Sequence, residues 1–82
     1  MPHYVYILKS LKDSKYYIGE TANVQARLDF HNNGQQRSTK NRIPFELIKV
    51  EEYPNRFEAL KRERQIKSWK GGMAFKALTN GM

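Results

Sequence analysis

Two short apolar runs rich in aromatics stand near the start of the chain, separated by a polar stretch. Tyr4-Val5-Tyr6-Ile7-Leu8 and Tyr16-Tyr17-Ile18-Gly19-Glu20 read as two short aromatic strands. Side chains alternate along a strand, so Tyr4, Tyr6 and Leu8 share one face, as do Tyr17 and Gly19. The link Ser10-Leu11-Lys12-Asp13-Ser14-Lys15 is short and polar, which predicts a hairpin. Pairing Ser10 with Lys15 sets Leu8 opposite Tyr17 and Tyr6 opposite Gly19. A shift by one pair keeps that parity, so the two phenols stay on one face. Gly19 has no side chain to place opposite Tyr6, which leaves room for a ligand beside the ring.

The pattern then changes to a helical one. Thr21 or Asn23 can cap a helix over residues 23–33, Asn33-Gly34 ends it, and Val24 and Leu28 mark its buried stripe. Arg27 and His31, four apart, stand one above the other beside that stripe. Strand–turn–strand–helix order carries them back toward Tyr17 and Gly19. Residues 34–43 read as a polar loop. It is either an ordinary connection or a phosphate-contacting arm using Arg37, Lys40 and Arg42, with Ser38 and Thr39 as neutral donors.

Pro44 opens a third strand, 45–53. Its alternation groups Phe45, Leu47, Lys49, Glu51 and Tyr53 on one face and Ile48 and Val50 on the other. Pro54-Asn55 stops the strand, and Asn55 is an N-cap for a helix from Arg56 to about Lys70. Phe57, Ala59, Leu60 and Ile66 are expected to face inward, with Glu63 in the middle of that stripe and Lys61, Arg62 and Arg64 on its flanks toward solvent or phosphate. A carboxylate on a buried face needs a cation. A structural partner such as Arg27 or Lys67 and a divalent metal are the two readings. Trp69 falls opposite Leu60 and is expected to pack against the tail. Gly71-Gly72 breaks the helix, and Phe75 and Leu78 give the tail one apolar face.

Composition narrows the functional classes. Eighty-two residues with 39% hydrophobic content support one domain, 1–82, with a modest core. The chain has no cysteine, so disulfides, thiolate zinc sites and thiol catalysis are excluded. No apolar run approaches the ~20 residues of a membrane span, and the amino terminus leads straight into a strand rather than a signal peptide. A cytoplasmic protein without a membrane partner is expected. A formal net charge of +7 attracts polyanions through counterion release. Solvated surface charge is the plain alternative; nucleic acid is the partner it favours.

Val5-Tyr6-Ile7, Tyr17-Ile18-Gly19, Arg27, His31 and the stretch Glu58-Ala59-Leu60-Lys61-Arg62-Glu63 occur in an order that resembles the GIY-YIG nuclease superfamily. The resemblance covers roughly residues 3–70 and is strongest to its small stand-alone bacterial members, the UPF0213-like group. It implies an α+β fold: a three-stranded, mainly antiparallel sheet flanked by helices. It also implies a metal-dependent endonuclease acting on DNA, in repair or recombination. Tyr6, Tyr17, Arg27 and His31 would be catalytic, and Glu63 would hold Mg²⁺ or Mn²⁺. One of the two tyrosines would take a proton from the attacking water while the other positions it. Gly19, Arg37, Lys40, Arg42 and Arg62 would contact nucleic acid. Stand-alone domains of this kind usually rely on an attached module to choose targets, so a targeting partner is expected. Tyr4 stands where the first signature usually begins with Gly, and Glu20 where some members place a lysine that helps activate the base.

Each residue also has a structural reading. Tyr6 and Tyr17 would be half-buried strand aromatics, Arg27 a salt-bridge partner, and His31 a favourable group at a helix end. The alternative to the nuclease is a non-catalytic, basic nucleic-acid-binding module of the same fold. A small ribosome- or partner-associated protein is a third.

Overall fold

A computed structural model describes residues 1–70 and 72–80. Three strands, β1 (His3–Ser10), β2 (Tyr16–Thr21) and β3 (Phe45–Tyr53), form one antiparallel sheet in the order β2-β1-β3. Helix α1 (Val24–Asn32) follows β2, a short 3₁₀ turn (Lys40–Arg42) precedes β3, and helices α2 (Arg56–Trp69) and α3 (Met73–Asn80) follow it. The α+β architecture is the expected one. Gly71 of the anticipated glycine break lies outside the described residues.

The hairpin has the anticipated register: Tyr6 pairs with Gly19 and Leu8 with Tyr17. At the turn, Ser14 takes a positive φ of 62°, and Lys15 N–H donates to Asp13 Oδ1 at 3.0 Å. As the central strand, β1 is covered on both sides, and Val5 through Leu8 are all buried. Val5 and Ile7, with Ile18, meet Ala59, Ile66 and Phe75 on one face. Tyr6, Leu8 and Phe45, with Tyr17, Leu28 and Ile43, pack on the other.

The third strand departs from simple alternation. Ile7 pairs with Lys49 but Leu8 pairs with Leu47, so Ile48 is an extra residue at a β-bulge. The bulge reverses parity within β3. Phe45 therefore sits on the Tyr6 face while Ile48 packs on the opposite face with Tyr53. Grouping Phe45 and Leu47 with Lys49, Glu51 and Tyr53 is corrected accordingly.

Both long helices start as expected: Asn23 Oδ1 accepts from Ala26 N–H, and Asn55 Oδ1 accepts from Glu58 N–H. The buried stripe of α2 differs from expectation. Phe57 is 72% exposed, while Ala59 and Ile66 are fully buried and Trp69 packs beside them. At about 100° per residue, Phe57 lies half a turn away from Ile66, whereas Trp69 lies within about 60° of it. Glu63 consequently stands at the margin of the stripe, not at its centre.

Candidate active site

Tyr6 crosses Gly19 toward β2, the edge strand of the sheet. A Cβ on Gly19 would overlap the Tyr6 hydroxyl and ring, so the glycine makes room for the phenol itself. This revises the expected vacancy for a ligand. Tyr17 lies beside Tyr6 on the same face, with ring centroids 6.3 Å apart.

Helix α1 brings two nitrogen groups to the same hydroxyl. Arg27 Nε–H donates to Tyr6 Oη at 3.4 Å, and His31 Nε2 lies 3.2 Å from it. The i, i+4 spacing places both on one side of the helix. The Arg27 guanidinium also stacks over Phe30, 4.6 Å from its centroid, and the His31 ring lies 4.7 Å from that of Tyr17. His31, not Val24 or Leu28, is the fully buried residue of α1. The carboxamide of Asn32 pins the same turn to the start of β3: it accepts from Phe45 N–H at 2.7 Å and donates to Phe45 C=O at 3.2 Å.

Burial and charge set the protonation states. Burial pushes the Tyr6 phenol above its ordinary value of 10.0, with smaller upward contributions from Tyr17 and Glu63, against the lowering hydrogen bond and charge of Arg27. Burial, then the Arg27 charge, holds His31 down at about 4. The imidazole is therefore neutral at pH 7 and able to accept a proton. The bond to Tyr6 pushes Arg27 further up, so it remains a permanent cation.

Glu63 belongs to the other layer, and its charge adds a small upward push on the Tyr6 phenol. Arg56, at the start of α2, pairs with Glu20 at 3.5 Å, and Lys70 Nζ, just past its end, donates to Tyr16 C=O at 2.8 Å. α2 thus runs antiparallel to β2, with Glu63 midway along it. Its side chain is 18% exposed, and Lys67 is its ion-pair partner at 3.7 Å. Of the two structural partners anticipated, Lys67 is the one found. That i, i+4 pair is on the surface, since Lys67 is 54% exposed.

Several anticipated phosphate contacts lie elsewhere. Arg62 makes a two-nitrogen pair with the Glu51 carboxylate, at 2.8 and 3.2 Å, and stacks over Trp69 at 5.1 Å. Arg42 pairs with Asp13 at 3.2 Å and donates to Tyr16 C=O at 3.4 Å. Both guanidiniums are thereby committed to structural acceptors away from Tyr6. Arg37 and Lys40 are exposed on the 34–43 segment. Thr39, read as a neutral phosphate donor, is instead 1% exposed with its Oγ1 3.0 Å from His31 Nδ1. Glu20, in the position of the family's occasional lysine, is held by His3 and Arg56. His31 lies in α1 and Thr39 in the segment beyond it, so no periodicity within one element pointed to that contact.

Comparison with known proteins agrees with the geometry. The GIY-YIG catalytic domain matches residues 2–76. A UPF0213 protein of Staphylococcus saprophyticus is 39% identical over 80 residues, 96% of each chain. A UPF0213 protein of Staphylococcus epidermidis is 41% identical over the same share. The solution NMR structure of a UPF0213 protein from Bacillus halodurans is 35% identical, covers 90% of each chain and superposes with a TM-score of 0.50. With two signature strands, an Arg/His helix and a later glutamate in the family's order, the chain belongs to the GIY-YIG family.

Proposed function

We propose that the protein is a divalent-metal-dependent endonuclease that hydrolyses DNA phosphodiester bonds in the cytoplasm, on branched, damaged or single-stranded forms met in repair or recombination. The observation that carries this reading is the Tyr6 hydroxyl, held between a permanent cation and a neutral imidazole with Tyr17 alongside. In-line attack by water at phosphorus breaks one P–O ester bond and requires that the water lose a proton. In this reading the Tyr6 oxygen takes that proton while its own passes to His31 Nε2, and Tyr17 orients the water. Tyr6 sits above 10.0 and His31 at about 4, so this transfer is far uphill in the resting protein. It operates as negative charge leaves the attacking oxygen for the phosphate. The Arg27 N–H groups not used by Tyr6 face the charge that develops there.

The donor set fits a hard cation. Among the described residues no three His, Cys, Asp or Glu side chains form a cage. Mg²⁺ and Mn²⁺ keep several waters and bind through one or two carboxylates plus substrate phosphate, a role that Glu63 suits. When bound, such an ion supplies charge stabilisation at the phosphate oxygens. Binding without DNA is expected to be weak, and the exposed Arg37 and Lys40 are proposed to meet the backbone.

Supercoiled plasmid incubated with Mg²⁺ or Mn²⁺, and with chelator, tests the proposal. Nicking that needs the metal and is lost in Glu63→Ala and Tyr17→Phe is expected. Equal nicking in every sample would identify a contaminant. Salt-sensitive binding that survives Glu63→Ala without any cleavage would move the protein to the non-catalytic binding module.

A further inference from the structure

We propose that Thr39 is a positioning residue: its hydroxyl fixes His31 in the tautomer whose Nε2 lone pair points at the Tyr6 O–H. The inference rests on the nuclease reading for its catalytic meaning, though not for its structural content.

A chain of four polar contacts has ends that run in only one direction. At one end Arg27 Nε–H can only donate, and it donates to Tyr6 Oη. At the other, the Gln36 carbonyl accepts the Thr39 hydroxyl at 3.3 Å, beside the backbone N–H groups of Thr39 and Lys40 at 3.1 and 2.9 Å, so the direction is set chiefly at the Arg27–Tyr6 end. Between them lie Tyr6 Oη to His31 Nε2, 3.2 Å, and His31 Nδ1 to Thr39 Oγ1, 3.0 Å. Tyr6, His31 and Thr39 are 2%, 0% and 1% exposed, so in the resting protein, before DNA and the attacking water are in place, each hydrogen needs a partner within the chain.

One assignment meets every requirement. Arg27 donates to Tyr6, Tyr6 O–H to His31 Nε2, His31 Nδ1–H to Thr39 Oγ1, and Thr39 O–H to the Gln36 carbonyl. In the reverse assignment Thr39 O–H points at Nδ1 and Nε2–H at Tyr6. The Tyr6 oxygen then receives two donors, and its own hydrogen has neither Arg27 nor His31 to accept it. A buried hydroxyl left in that state has given up its hydrogen bond to water without gaining one in the protein. Doubly protonated His31 is excluded near pH 7 because its pKa lies at about 4.

Only the first assignment leaves the histidine able to take the Tyr6 proton. Removing the Thr39 oxygen strands the Nδ1–H in an apolar setting. The proton then moves to Nε2, where Tyr6 Oη can accept, and the relay is closed.

Long-range ¹H–¹⁵N spectra of the full chain at pH 7, without metal or DNA, read the tautomer directly, with His3→Gln used to assign the two imidazoles. Native protein and Thr39→Ser are expected to carry the proton on Nδ1, and Thr39→Val on Nε2. Plasmid nicking is expected to fall about tenfold to a hundredfold in Thr39→Val, the scale seen when a partner that orients a metal-bound histidine is removed, and to return in Thr39→Ser. Nε2–H in the native protein overturns the proposal, as does Nδ1–H retained in Thr39→Val. Should Thr39→Val not fold, the tautomer of the native protein decides alone. Nicking absent from every sample while His31 carries Nδ1–H supports the assignment and sinks the nuclease reading instead.

Discussion

On the face covered by α2 and α3, Val5, Ile7 and Ile18 of the sheet meet Ala59, Ile66 and Phe75, all apolar. On the face covered by α1, Tyr6, Leu8 and Phe45 share their layer with His31 and Thr39. Both layers are equally dry, yet they are held differently. The first relies on apolar burial, which is non-directional and tolerates exchange of similar volumes. The second relies on donors and acceptors that each need a specific partner, so one lost atom affects the whole chain of contacts. β1 supplies both layers from alternate residues, so a substitution can be directed at one layer alone.

Substitutions on either side of β1 test that division. Tyr6→Phe removes one oxygen from the polar layer; nicking is expected to fall by about 10²- to 10⁴-fold, the range for losing a proton-transfer group. Its stability should change far less, by about 1–3 kcal/mol, because His31 Nε2 loses its donor. Ile66→Ala, on the apolar layer, is expected to cost about 2–5 kcal/mol of unfolding free energy. Its folded fraction should nick at the native rate. Urea unfolding followed by the single tryptophan, Trp69, gives stability in both cases. Nicking by Ile66→Ala that falls beyond its unfolded fraction would show that the layers are not separable.

The two layers also differed in how readily the sequence revealed them. The β1–β2 register was legible because strand parity and a short turn leave few alternatives, and Tyr6 opposite Gly19 followed at once. Asn23 and Asn55 were legible as caps because capping is a local matter. The bulge at Ile48 was not, since both of its flanks alternate normally and only the pairing with β1 shows the extra residue. Phe57 is a misleading signal because it is strongly apolar yet lies half a turn from Ile66 on the helix. Tyr6, Tyr17, Arg27 and His31 could be grouped from element order alone. The fates of Arg42, Arg62 and Thr39 depend on Asp13, Glu51 and His31, partners distant in sequence that only the folded chain supplies.

Acid provides the mildest way to separate the layers. His31 has a pKa of about 4 in the folded chain against an ordinary value of 6.5. Between those values the unfolded chain binds a proton that the folded chain does not, so stability falls as pH falls. The contribution is complete above pH 6.5 and gone below about 4, and the shift corresponds to on the order of 3 kcal/mol. On the apolar side, the Glu51 carboxyl is held below 4.5 by its bonds from Arg62 and Tyr53, which outweigh its burial. Its stabilisation is also present at neutral pH, but it is lost only as pH drops below 4.5. Acidification from neutrality should therefore act first on the α1 layer and only afterwards on the α2 layer. Urea unfolding at steps from pH 7.5 to 4 is expected to show a decline beginning near pH 6.5 that is absent in His31→Gln. An onset only below 4.5, or an identical slope in His31→Gln, would mean that the imidazole is not kept neutral by its surroundings.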